Sequence, residues 1–133
     1  MQICNRFMVR NTKTMGRGVV VLSPINCDEL IGVFPTVLID ATQRPMLENT
    51  VISQFWFVGE RDAALVMGFP ELINHSDTAN VSHRFLPSPT GEIAEFRALR
   101  TIEEGEQLFL NYGFDHPADA DTYFRKDFHR VGG

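Results

Sequence analysis

Lysine, tyrosine and cysteine are scarce in this chain, and long apolar runs are absent. Only Lys13 and Lys126 accompany the ten arginines, and 12 basic residues against 17 acidic ones leave a formal net charge of −5. A chain of that sign has no global attraction to phosphates, the term that dominates non-specific nucleic-acid binding, and its arginines are scattered rather than striped, so a nucleic-acid partner is not indicated. The acidic balance suits a basic partner such as a Lys-rich peptide. Cys4 and Cys27, the only cysteines, have no paired spacing, which excludes a disulfide framework and points to two reduced thiols. His83, His116 and His129 likewise lack ligand-like spacing, so no metal is expected. No apolar run approaches the roughly 20 residues of a membrane-spanning helix. Met1–Arg10 (MQICNRFMVR) is polar throughout and shows no charged-then-apolar leader. These exclusions lead to the expectation of a soluble intracellular protein without membrane contact: cytoplasmic if bacterial, with a nucleus left open.

What the chain does hold is apolar material in short pieces. Its 133 residues suit one domain, and 44% hydrophobic residues with eleven Phe supply a core. Ten Gly and seven Pro break that material up along the whole length, which argues against long helices and for a mainly β protein with a few short helices. Residues 16–40 read as two or three strands broken by Gly32 and Pro35. Thr50–Val58 (TVISQFWFV) is β-branched and aromatic and reads as one strand ended by Gly59, whose alternation puts Phe55 and Phe57 on a single face. Ala63–Gly68 is too short to assign by period. Val81–Leu86 and Ile93–Leu99, joined by turn formers around Pro87-Ser88-Pro89-Thr90-Gly91, form a hairpin. Glu103-Glu104-Gly105 is a tight turn, Glu106–Tyr112 a strand, and Ala118–Phe128 a short helix.

Three features carry candidate chemistry. Gly16-Arg17-Gly18 lets a backbone turn sharply or a ligand approach closely, although a lone G-x-G before a strand is equally a plain turn, and the third glycine and helix of a dinucleotide fingerprint are missing. Asn74-His75-Ser76-Asp77-Thr78-Ala79-Asn80 is a dense polar loop that either presents donors and acceptors to a ligand or is a capped surface turn. Tyr112, one of two tyrosines, sits at the end of an apolar stretch where its phenol can polarise a neighbour or simply pack at a sheet edge.

In this order, the three features resemble the SET domain, the fold of lysine methyltransferases that use S-adenosylmethionine. The matching stretches are Gly16-Arg17-Gly18-Val19-Val20, Leu72-Ile73-Asn74-His75-Ser76-Asp77-Thr78-Ala79-Asn80, and Arg100-Thr101-Ile102-Glu103-Glu104-Gly105-Glu106-Gln107-Leu108 followed by Asn111-Tyr112-Gly113. The resemblance implies a single SET domain over 1–133, with its core at about 14–114 and a short tail at 115–133. It implies short curled sheets and a pseudoknot that brings the Tyr-Gly segment to the Asn-His-Ser segment. It implies cofactor contacts at Gly16, Arg17, Gly18, Asn74, His75 and Tyr112, with the Asn74 side chain on the amino-acid moiety and the His75 backbone on the adenine. Tyr112 would be the catalytic residue at the inner end of a lysine channel lined by Phe55 and Phe57 and closed by Phe114, Tyr123 or Phe124. Ala79, Gln107 and Asn111 replace the family's usual Pro, Glu and Asp.

The activity so implied is transfer of a methyl group to the side-chain amine of a Lys-containing, basic and histone-like protein or peptide. Phe where related enzymes line the channel with tyrosines leaves room for a methylated amine and points to higher methylation states. The other reading is a catalytically weak SET-fold binding module acting through protein contacts. Substrate choice would rest in the groove around Ile31–Asn49 and in the tail, and so small a domain suggests a homodimer.

Overall fold

A computed structural model describes residues 1–112 and the short strand at 129–130. The strands of the described residues form three sheets. In the first, β1 (Phe7–Asn11) and β2 (Arg17–Val21) form an antiparallel hairpin pairing Phe7 with Val21 and Asn11 with Arg17. The tight connection is possible because Gly16 adopts φ +72°, a left-handed conformation that costs glycine nothing, and its carbonyl accepts the Thr12 amide. Residues 102–108 run along the free edge of β2: Val21 donates to the Glu106 carbonyl and Leu108 to that of Val19. The two glycines of the first motif are thereby brought beside the third.

The largest sheet has the order β10 (His129–Arg130), β4 (Phe57–Val58), β5 (Ala63–Val66), β3 (Leu30–Ile39), β8 (Ile93–Ala98), β7 (Val81–Leu86). β3 is one ten-residue strand, not two broken at Gly32 and Pro35. It survives Pro35 because it changes partner there: residues up to Pro35 pair with β8, and those from Thr36 onward pair with β5. The Pro35 carbonyl still accepts the Met67 amide, so the proline forgoes only the reciprocal bond at the end of the β5 pairing. The expected β7–β8 hairpin forms, with Val81 opposite Ala98 and Leu86 opposite Ile93, and strict alternation puts Val81, His83 and Phe85 inward. His83 is a core histidine, packed against the rings of Phe57, Phe85 and Phe96.

The third sheet is a two-stranded parallel pair, β6 (Asn74–His75) with β9 (Phe109–Leu110). The main core lies between the sheets and contains Phe7, Val19, Val21, Phe57, Ile73, Phe85, Phe96, Ile102, Leu108 and Leu110. A second cluster of Ile39, Trp56, Val58 and Ala63 is closed by Leu47 of the one-turn helix α1 (Arg44–Leu47) and by Ile52.

Two expectations need correction. Thr50–Val58 is not one strand: Val51–Gln54 is a 3-10 turn, and only Phe57–Val58 pairs in the sheet. Hydroxyls of Thr50 and Ser53 donate to the carbonyls of Leu47 and Thr50, giving the backbone a local alternative to the ladder that β propensity does not register. Glu106–Tyr112 is likewise strand only at Phe109–Leu110, with an isolated bridge from Gln107 to Val20. The expected helix at Ala118–Phe128 lies outside the described residues. Among the described residues no helix is long and apolar enough to cross a membrane.

Candidate active site

The 74–80 segment and the 107–112 segment are joined by a short backbone pairing and by side chains. Asn80 is buried, and its amide acts as a strand partner for a backbone far away in sequence: Nδ2 donates to the Gln107 carbonyl at 2.9 Å and Oδ1 accepts the Phe109 amide at 2.7 Å. Its own amide donates to the Phe109 carbonyl. Asn80 is thus a clamp on the third motif.

His75 performs a similar task. Its Nδ1 accepts the Tyr112 amide at 2.9 Å, so the ring proton resides on Nε2, 3.1 Å from the Asp77 carboxylate. The Tyr112 ring lies 5.2 Å from the imidazole, and its phenol donates to the Ile73 carbonyl. Backbone and phenol of Tyr112 are therefore both held by residues 73–75.

Arg17, Asn74 and Tyr112 meet at one open cleft, which Met15, Gln54, Phe55, Glu71 and Leu72 also line. Asn74 Nδ2 donates to the Arg17 carbonyl and to Gln107 Oε1, each at 2.9 Å. Glu71 is anchored by the Val66 amide, 2.5 Å from its Oε1. Gly16 has open space where a Cβ would project, whereas a Cβ on Gly18 would stand 2.5 Å from Gln107 Oε1. The second glycine of the motif makes room for a side chain of the third motif.

The aromatic pair separates. Phe55 ends the 3-10 turn and lines the cleft, but Phe57 is fully buried against Phe85, His83 and Phe96, because the turn breaks the alternation that would have aligned them. Phe114, Tyr123 and Phe124 fall outside the described residues. Gln54 and Glu71 went unnoticed in the sequence, and Gln107 stood out there only as a replacement of the family's usual Glu. Gln54 lay in a segment read as strand, while Gln107 offered one further signal, a polar residue between the turn at Gly105 and the apolar Leu108-Phe109-Leu110. Cys4 and Cys27 are free surface thiols, and among the described residues no group of three or more His, Cys, Asp or Glu is placed to hold a metal ion.

The chain is similar to known proteins. The family model described as SET domain matches residues 16–113. A Schizosaccharomyces pombe protein, the H3 lysine-37 specific histone-lysine N-methyltransferase, is 27% identical over 110 residues, spanning 81% of this chain and 73% of that protein. Among solved structures, a Plasmodium falciparum chain assigned to the histone methyltransferases superposes with a TM-score of 0.69 at 23% identity, covering 85% of this chain and 97% of that one. A chain of Polycomb Repressive Complex 2 from Chaetomium thermophilum, bound to S-adenosylmethionine in an autoinhibited conformation, gives 0.70 at 19% identity over 86% of this chain and 16% of its own. At these identities the structural likeness speaks for the fold.

Proposed function

Because this chain belongs to the SET-domain family, matched over residues 16–113, we infer that it is a protein-lysine methyltransferase whose methyl donor is S-adenosylmethionine. The observation that carries this reading to particular residues is the meeting of Arg17, Asn74 and Tyr112, from three distant parts of the chain, at one cleft. When bound, S-adenosylmethionine supplies a methyl group on a cationic sulfonium. The cleft suits such a ligand: Arg17, Gln54, Glu71 and Asn74 give polar groups for an amino-acid end, while Met15, Phe55 and Leu72 give apolar surface. Asn74 and the backbone at Gly16–Gly18 hold the amino-acid end, and the His75 backbone borders the adenine.

Tyr112 is the catalytic residue. Its phenol proton is committed to the Ile73 carbonyl, so the phenol oxygen turns its remaining lone pairs to the reacting amine. The nucleophile must be a neutral amine, and lysine ordinarily titrates near ~10.4. Apolar walls at Phe55 and Leu72 and a neighbouring positive charge both disfavour the ammonium, which releases its proton to water before attack. Transfer is then an in-line displacement that positioning and exclusion of water accelerate.

The substrate is a protein, and the net charge of −5 supports a basic, histone-like segment around the lysine. Phe55 brings no hydroxyl to the cleft and leaves space beside the amine, which supports products beyond the monomethyl state. A homodimer enlarging the docking surface, and action in the cytoplasm or nucleus, belong to the same reading.

Isothermal titration with S-adenosylmethionine, followed by mass spectrometry of Lys-rich peptides, tests it. The natural protein is expected to bind and transfer, and Tyr112→Phe to bind but transfer on the order of 10²-fold more slowly. Binding without transfer by the natural protein would make this a binding module; no binding would remove the reading altogether.

A further inference from the structure

Lys13 is exposed at the crest of the turn between β1 and β2. The base of that turn is fixed by the Thr12 amide and hydroxyl, which both donate to the Gly16 carbonyl, and by the Met15 amide, which donates to the Thr12 hydroxyl. Among the described residues the Lys13 amine pairs with no carboxylate, whereas Arg6, Arg44, Arg84, Arg97 and Arg100 each do. An exposed loop tip of small and polar residues is open to another protein's active site, and a lysine's flexible four-carbon stem carries the amine clear of the backbone.

Charge is divided unevenly along the chain. Residues 1–27 hold Arg6, Arg10, Lys13 and Arg17 and no acidic residue, whereas all 17 acidic residues and the other eight basic ones follow Cys27. The hairpin turn is therefore a basic segment on an otherwise acidic protein, and the two parts are complementary between copies. Lys126, the only other lysine, is followed by Asp127 and preceded by Asp115, Asp119 and Asp121, so its surroundings in sequence lack this basic character.

Resting on the lysine methyltransferase reading, we propose that Lys13 is a methyl-acceptor site presented to the cleft of a second copy of this chain. Met15 and Arg17, just beyond it, line its own cleft, and the fixed turn keeps Lys13 on the outside of that wall. In the second copy's cleft the lone pair of the neutral Lys13 Nζ forms a bond to the methyl carbon of the sulfonium donor. The carbon–sulfur bond breaks with its electron pair passing to sulfur, and the product ammonium then gives one proton to water.

Full-length proteins test this, with isotope-labelled Tyr112→Phe as acceptor, unlabelled natural protein as enzyme, and peptide mass spectrometry as readout. The labelled chain is expected to gain methyl groups at Lys13 at about the rate seen on the natural protein itself. Lys13→Arg is expected to gain none at that position, while binding S-adenosylmethionine within about twofold of the natural protein and methylating Lys-rich peptides as before. Docking is read without methyl transfer by carbodiimide coupling in a mixture of labelled and unlabelled natural protein. Lys13 is expected to couple to an Asp or Glu of the other isotope, and ~1 M salt to suppress this by shortening the screening length to ~3 Å. Methylation of the natural protein but not of the labelled acceptor places transfer within one copy and overturns the proposal. So does methylation confined to Lys126, coupling that never joins Lys13 to another copy, or an unmodified Lys13 in a protein that methylates Lys-rich peptides. A natural protein that neither binds S-adenosylmethionine nor methylates any peptide overturns the methyltransferase reading itself.

Discussion

The β7–β8 hairpin and the junction of residues 74–80 with 107–112 stand next to each other and are held together by different means. The hairpin is a backbone ladder between neighbours in sequence, with Phe85 and Phe96 turned into the core and Arg84, Glu95 and Arg97 outward. The junction has a two-residue parallel pair and two further backbone bonds, from the Ser76 amide to the Leu110 carbonyl and from the Asn80 amide to the Phe109 carbonyl, and adds three polar side chains bonding to groups 27 to 37 residues away: Asn80 to Gln107 and Phe109, Asn74 to Gln107, and His75 to Tyr112. A ladder spreads its stability over many equivalent bonds, whereas a clamp concentrates it in groups whose loss leaves buried partners unsatisfied. The site is at the clamp, so binding and stability are coupled there and separable in the hairpin.

Three substitutions sharpen this contrast. Phe85→Ala empties a fully buried site among Phe57, His83 and Phe96 and should lower stability by about 4 kcal/mol in urea unfolding. The fraction that remains folded should bind S-adenosylmethionine normally. Asn80→Ala should cost less, about 2–3 kcal/mol, since it leaves the Phe109 amide and Gln107 carbonyl without their partner. Unlike Phe85→Ala, it should also weaken cofactor binding, because the segment carrying Tyr112 is released; normal affinity in Asn80→Ala would dissolve the distinction.

The smallest effect belongs to Glu95. Burial pushes its carboxyl up, but hydrogen bonds from Arg84 and Arg97 outweigh this and hold it below the ordinary carboxylate range. A carboxyl lowered by folding stabilises above its unfolded pKa and loses that contribution as pH falls through its folded one. Glu95→Gln should therefore destabilise by about 1 kcal/mol at neutral pH, with the deficit fading in acid unfolding series. A deficit that persists at acid pH would mean that the Arg84–Glu95–Arg97 group acts through packing rather than charge.

Much of the hairpin was legible because alternation and turn formers are local signals, and strand spacing translates them into facing residues. The same logic failed at Thr50–Val58, where side-chain hydroxyls captured nearby carbonyls and the 3-10 turn sent Phe55 to the cleft and Phe57 to the core. At the site, Asn74, His75 and Tyr112 could be singled out as residue types at suggestive positions. The use of His75 as an acceptor for the Tyr112 amide, and of Gly18 as space for Gln107, could not.

Composition and local pattern by themselves determined a mainly β domain with an apolar core, the position of its hairpin, and the three segments in which chemistry was to be sought. Only the tertiary structure decided that these segments share one cleft and which atoms of each face it. The physical reason is range: periodicity and turn chemistry act over a few residues, whereas the orientation of an amide or an imidazole is set by partners that the chain brings back from dozens of positions away.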